Sequence, residues 1–247
     1  MEFFQSAGLS TAETILLIVI LIGLPIECEI ALRIYKPRIE AGVKRARLYT
    51  YFYSIASLWA LAIAILAIWA AAGRDWAALG FQFEWTLPTM IACAAAAAVA
   101  GLFLVQLALV HVSGETRAAY RRAISEGGGG VYFLPRTEAE HRAFLAMGTT
   151  AGITEEIIFR GFLIWALSAL MPLWLAAAIS CAMFVFLHRY QGLAGLAQVA
   201  VAGGLLTGLY IASGSLYPVI ALHIALDVLN GLIIRRAQRE EGAALAA

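Results

Sequence analysis

Apolar runs about as long as a bilayer is thick recur along this chain, and they leave few folds open to it. A helix needs about 20 such residues to cross the hydrocarbon core. Runs of this kind fall near 12–34, 50–72, 88–111, 146–170, 172–190, 193–213 and 216–235. Bare backbone cannot be satisfied at that depth, so the expected fold is all-α, a polytopic transmembrane helix bundle of about seven spans. Gly148, Gly152, Gly161 and Pro172 interrupt the stretch between 140 and 190, leaving room for an eighth short span or re-entrant piece. Composition agrees: 62% of the 247 residues are hydrophobic and only 13% are charged, against about 25% charged in soluble domains. A net charge of +1 gives no footprint for nucleic acid. Cys28, Cys93 and Cys181 stand far apart in apolar segments, without CxxC or metal-ligand spacing. The opening MEFFQSAGLSTAE lacks the basic region of a cleaved signal, so the first run is expected to remain as a helix.

Basic residues predict which way the spans point, because cytoplasmic loops are rich in Lys and Arg. Arg33, Lys36, Arg38, Lys44, Arg45 and Arg47 crowd the first loop. Arg117, Arg121, Arg122, Arg136 and Arg142 crowd the third, and Arg235, Arg236 and Arg239 follow the last span. The second loop has only Arg74, and the loop near Ser213–Ser215 has none. Seven spans with the N-terminus outside and the C-terminus cytoplasmic satisfy every loop, which places the chain as a multi-pass protein of an inner (plasma) membrane. SEGGGG at 125–130 reads as a flexible break. It divides a three-span part, 1–126, from a linker at 127–134, a four-span membrane core at 135–236 and a tail at 237–247. Thr137 and Glu140 have capping-box spacing, so a helix is expected to start at Thr137.

Ionisable residues at membrane depth are the functional signal, since each costs at least about 2.5–3.5 kcal/mol at the centre of a span. Some have structural readings. Glu29 precedes Arg33 by four residues in the favourable helical orientation, Pro25 is expected to kink the first span, and His111 and His141 read as interfacial histidines. The second half differs. Glu155, Glu156 and Arg160 lie on the fourth span, His188 ends the fifth, and His223 and Asp227 lie on the seventh. At a rise of 1.5 Å per residue, Glu155 and Asp227 both fall roughly 10–14 Å below the cytoplasmic surface. Glu156 and Arg160 are i,i+4 and can pair, whereas Glu155 points about 100° away round the helix. One carboxylate is thus tied up and the other is free for a cavity. Phe184, one turn before His188, can pack beside its ring.

EEIIFR (155–160), FVFLH (184–188) and HIALD (223–227) resemble the EExxxR, FxxxH and HxxxN/D motifs of the CAAX protease and bacteriocin-processing family. These are intramembrane glutamic endopeptidases that include the type II CAAX prenyl proteases. The resemblance covers about 135–236 and rests on three motifs in order on separate spans. It implies a membrane protease with an active-site cavity facing the cytoplasm and no cofactor or metal. Its substrate would be a membrane-associated protein or peptide. Glu155 would activate a water that His188 helps to hold, His223 and Asp227 would form the oxyanion site, and Glu156, Arg160 and Phe184 would support them. The prenyl proteases carry Asn where this chain has Asp227. An ionised Asp donates no hydrogen bond, so Asp227 either is protonated or orients His223.

Other readings use the same residues. Glu, His, His and Asp could hold zinc with an open position, although HExxH is absent. Cys181 and His188, seven apart, suggest a cysteine peptidase only weakly, because nothing in helical geometry joins them. A proton-coupled transporter would carry internal repeats that this sequence lacks. A non-catalytic membrane regulator or immunity protein would dispense with motif residues, and none is missing.

Overall fold

A computed structural model describes residues 8–126 and 128–244. Residues 1–7, Gly127 (the start of the expected linker) and 245–247 (the end of the expected tail) lie outside them. The described residues form helices throughout, joined by turns and short irregular connections. The first helical rod is α1 (Thr11–Ile18), a π-helical turn over Val19–Gly23, and α2 (Leu24–Glu40). Ser10 and Glu13 form a capping box at its start. The π turn lies immediately ahead of Pro25, where the missing amide removes a bond from the regular ladder. Next come α3 (Ala46–Ala71), α4 (Leu87–Val112) and α5 (Gly114–Glu126). A 3₁₀ segment, Gly128–Phe133, occupies most of the expected linker. It is anchored rather than loose: Tyr51 Oη donates to the Phe133 carbonyl and Arg47 Nε to the Tyr132 carbonyl.

The second half begins where the capping box predicts. Thr137 Oγ1 accepts from the Glu140 amide, and Glu140 accepts from the Thr137 amide, each at 3.2 Å. From there α6 (Glu138–Glu155) passes into a π-helical segment, Glu156–Leu163, and then α7 (Ile164–Ser168). A turn leads to α8 (Leu173–Leu187), a 3₁₀ turn (Arg189–Gln191), α9 (Gly192–Ser213) and α10 (Leu216–Ala244). Residues 237–244 of the expected tail therefore continue the last helix.

Among the described residues, five helices are long and apolar enough to cross a membrane: Thr11–Glu40, Ala46–Ala71, Leu87–Val112, Arg189–Ser213 and Leu216–Arg239. The expected fourth and fifth spans are built differently from these. The fourth is part of the continuous helical run 138–168, which carries the charged motif and so is less apolar. The fifth, α8, is apolar but only 15 residues long. The run passes through Gly148, Gly152 and Gly161 without a break, and the chain turns only at 169–172.

Those glycines serve approach. A Cβ on Gly152 would stand 2.7 Å from the Ile224 amide nitrogen, and one on Gly148 would stand 2.9 Å from Asp227 Cβ. Small residues four apart let two backbones close together, so α6 lies directly against α10 at the height of Asp227. Around this pair, α3 packs on α6 and α4 on α10, so the first half of the chain walls the second. At one end the loop between α3 and α4 folds back, with the Leu216 amide donating to the Gly80 carbonyl at 2.8 Å and Ser215 Oγ to the Gln82 carbonyl at 2.7 Å. Gly80 has φ +95°, and a Cβ there would meet the Tyr210 ring at 2.8 Å. Trp76, Phe83, Trp85, Trp174 and Tyr217 are exposed at this end, whereas the Arg-rich segments gather at the other.

Candidate active site

The site is assembled on the π segment. A π turn is wider than an α turn and tends to occur where function requires it. All eight of its residues are buried here, including Glu156 and Arg160. Arg160 Nη1 donates to Glu156 Oε1 at 2.9 Å, and Nη2 donates to the Gly203 carbonyl of α9 at 3.1 Å. The guanidinium lies 4.3 Å from the centroid of the Phe184 ring on α8. Buried charge is tolerated only when paired and hydrogen-bonded, and this arginine has a carboxylate, a carbonyl and an aromatic face. Gly203 is small for the same reason: a Cβ there would stand 3.0 Å from Phe184 Cδ1.

Glu156 has a second partner that the sequence did not indicate. Its Oε1 lies 2.6 Å from Nδ1 of His223 on α10. A carboxylate accepts, so Nδ1 carries the proton and Nε2 is turned the other way. Nε2 faces two carboxyl groups, with Glu155 Oε2 at 3.9 Å and Asp227 Oδ2 at 3.8 Å. Glu155 Oε2 is buried and has no hydrogen-bond partner among the described residues. Glu156 Oε1 is thus tied at two points, whereas Glu156 Oε2, like Glu155 Oε2, is buried without a hydrogen-bond partner among the described residues.

His188 caps the C-terminus of α8, where Nδ1 donates to the Phe184 carbonyl at 2.8 Å. The other ring nitrogen, Nε2, is left to the site. Phe184 links the two histidines, with centroids 4.6 Å from His188 and 5.9 Å from His223. Ser180, one turn earlier, ties α8 to the π segment by donating to the Phe159 carbonyl at 2.7 Å. The structure thus brings Glu155, Glu156, Arg160, Phe184, His188, His223 and Asp227 into one contiguous cluster on three helical runs.

Several features lay beyond sequence reasoning. The Gly203 carbonyl and the Glu156–His223 bond leave no mark in residue spacing. Glu29 pairs with Arg33 at 2.7 Å as expected, but also reaches Arg189, beside His188, at 2.6 Å. The i,i+4 glycines at 148 and 152 were a legible signal of close helix packing, whereas spacing alone suggests breaks. Asp227 does not hold the tautomer of His223, because Glu156 occupies Nδ1. Among the described residues, no group of three or more His, Cys, Asp or Glu side chains is placed to hold a metal ion.

Residues 139–229 match the family model described as type II CAAX prenyl endopeptidase, Rce1-like. The matched stretch contains every residue of the cluster. No curated protein and no solved structure matches the chain.

Proposed function

We propose, for a chain that belongs to the CAAX protease family, that the cluster is the active site of an intramembrane glutamic endopeptidase. It would cleave a peptide bond in a membrane-associated protein or peptide. The observation that carries this reading is the free carboxylate oxygen of Glu155, buried 3.9 Å from His223 Nε2.

Hydrolysis then runs through this chain's own groups. Glu155, assisted by the unused nitrogen of His188, orients a water and takes one of its protons. The resulting hydroxide adds to the scissile carbonyl carbon. The oxyanion that forms is stabilised by His223, which as an imidazolium donates from Nε2 while Glu156 accepts from Nδ1. Preorganised donors of this kind are worth about 2.7–4 kcal/mol each in a site that excludes water. Glu155 returns its proton to the amide nitrogen, the C–N bond breaks, and both products leave. Arg160 and Phe184 hold Glu156 and His188 in register.

Two features support seven spans with the site nearer the cytoplasm. The Arg-rich end carries the starts of α6 and α9 and the ends of α8 and α10, while exposed tryptophans cluster at the opposite end. Positive charge marks the cytoplasmic side, and Trp marks an interface. In this arrangement 1–126 forms the wall, 127–134 the connecting strap, 135–236 the catalytic core and 237–247 the cytoplasmic extension. The setting fits the inner (plasma) membrane, with the N-terminus outside.

The test is a comparison of membranes from cells expressing the wild type, Glu155→Ala or Glu155→Gln. New peptide termini, read by mass spectrometry, should appear only with the wild type, while all three proteins fold with similar melting temperatures. Equal yields of the same termini from all three would overturn the glutamic mechanism.

A further inference from the structure

Arginine is not spread evenly over the Arg-rich end of the bundle. Arg235, Arg236 and Arg239 stand within about one turn of each other on α10. Together with Leu232 they face Leu107 and His111 of α4 across a cavity of about 290 Å³. Its charge is unbalanced. Arg235 Nε and Arg239 Nη2 both donate to one oxygen of Glu138, at 3.1 and 3.0 Å, so two guanidiniums share a single carboxylate before Arg236 is counted. The carbonyl end of a helix repels anions, but that of α4 is covered. Arg117 Nη1 donates to the Val110 carbonyl at 3.1 Å and to the His111 carbonyl at 2.9 Å, and His111 Nδ1 donates to the Leu107 carbonyl at 2.8 Å.

The floor of the cavity is apolar. Leu107 and Leu232 are partly buried one turn before the charged rim, and Leu104, a further turn along α4, is 54% exposed. Apolar surface therefore runs from the floor towards the middle of two apolar helices, while the arginines stand at their ends. A soluble anion would use the arginines and leave the leucines idle. A phospholipid would use both, because its phosphate lies at the level of the helix ends and its acyl chains lie below. Basic pockets between spans on the cytoplasmic side suit anionic headgroups.

We propose that this cavity binds an anionic glycerophospholipid, with the phosphate among Arg235, Arg236 and Arg239 and an acyl chain leaving over Leu107, Leu232 and Leu104. The site lies apart from the catalytic cluster, and it rests on the chain's place in a bilayer rather than on the peptidase reading. Its occupant touches α4 and α10 together, so it pins the wall of the bundle to the helix that carries His223 and Asp227.

The test uses purified full-length protein, stripped of lipid in a neutral detergent and offered phosphatidylglycerol or phosphatidylcholine with the same acyl chains. Native mass spectrometry should show phosphatidylglycerol retained and phosphatidylcholine lost, and only phosphatidylglycerol should raise the melting temperature. Arg236→Gln combined with Arg239→Gln should weaken retention about thirtyfold, the effect of two basic residues beside an anionic lipid. Arg235 stays, so Glu138 keeps a partner. Leu232→Trp, which fills the cavity and leaves its charge, should weaken retention as much. Arg38→Gln combined with Lys44→Gln removes the same charge from the first basic loop and should change retention less than twofold. Equal weakening by the loop variant would mean unspecific attraction to a basic surface and overturn the proposal. So would full retention in Leu232→Trp, or the same stabilisation by inorganic phosphate alone. Should Leu232→Trp fail to fold, the comparison of the two charge variants decides.

Discussion

Glu156 Oε1 lies 2.6 Å from His223 Nδ1 while the same oxygen accepts from Arg160 Nη1 at 2.9 Å, so one buried carboxylate joins the π segment to α10. Two kinds of damage can be separated at this position. Glu156→Gln keeps the shape but can accept only a neutral hydrogen bond, and it weakens the hold on the imidazolium form of His223. Its activity should fall about a hundredfold with modest loss of stability, in keeping with the role of an orienting carboxylate behind a catalytic histidine. Glu156→Ala also strands Arg160, and breaking a buried pair costs about 3–5 kcal/mol. Thermal unfolding in detergent alongside peptide turnover should show this split. Identical stability in the two variants would mean that the hydrogen bond a glutamine keeps to Arg160 contributes nothing once the counter-charge is gone.

The contact between α6 and α10 makes a steric prediction. In Gly152→Ala the new methyl meets the Ile224 backbone at 2.7 Å, where no side chain can rotate away. Overpacking of this sort costs about 1–3 kcal/mol, and it pushes His223 and Asp227 away from Glu155, so activity should fall as well. Gly204→Ala is the control, because a Cβ there meets nothing within 4 Å. A helix-interior Gly→Ala change without a clash stabilises by up to about 1 kcal/mol. Equal melting temperatures for the two variants would show that the helices can part without cost.

These residues also show how far the sequence could be read. The helical class, the capping box at Thr137 and the gathering of Glu155, His188, His223 and Asp227 follow from apolar length, local pattern and depth, which are properties of single helices. The pairing of Glu156 with Arg160 follows from their i,i+4 spacing, but its second partner, His223, does not, because only packing brings α10 to that carboxylate. The π segment is equally silent, since IIFRGFL is compatible with either helical pitch until its neighbours fix it. Fourth and fifth spans counted from apolar length take no account of a helix that begins with a polar, acidic first turn at Glu138, nor of one as short as α8.

The solvent-exposed carboxylate in the first turn of α6 gives a pH prediction. Glu138 accepts from Arg235 and Arg239, and these hydrogen bonds hold its carboxyl below the ordinary value of 4.5. A depressed carboxyl stabilises the fold above its unfolded value, and that contribution is lost as pH falls through the lowered one. The melting-temperature advantage of wild type over Glu138→Gln should be present at neutral pH, begin to shrink below 4.5 and disappear at lower pH. Because the pair is solvent-exposed, added salt should shrink it too. An advantage independent of both pH and salt would point to packing instead.

Topology can be measured directly. With the three native cysteines replaced by alanine, a cysteine at Glu84 and one at Arg122 should label from opposite sides of the membrane. Glu84 should react with an impermeant maleimide in intact cells and Arg122 only after permeabilisation. The reverse result would place the Arg-rich end outside and the site at the other surface.

Asp227 makes the sharpest distinction among the proposed roles. Its Oδ2 lies 3.8 Å from His223 Nε2, and its side chain is 39% exposed, the most open of the groups around that nitrogen. Because Glu156 already occupies Nδ1, the carboxylate is not needed to select the tautomer. What remains for this position is a polar contact to the oxyanion, and an amide makes that contact at every pH. Asp227→Asn should therefore stay within about tenfold of wild type, on the order of 1.4 kcal/mol in barrier. Asp227→Ala should lose a hundredfold or more, since it leaves His223 Nε2 with Glu155 alone and opens the site to water. Turnover of the same peptide by both variants decides the matter. If Asp227→Asn is as inactive as Asp227→Ala, the negative charge itself is required, and Asp227 would act on His223 as a second counter-ion rather than on the substrate.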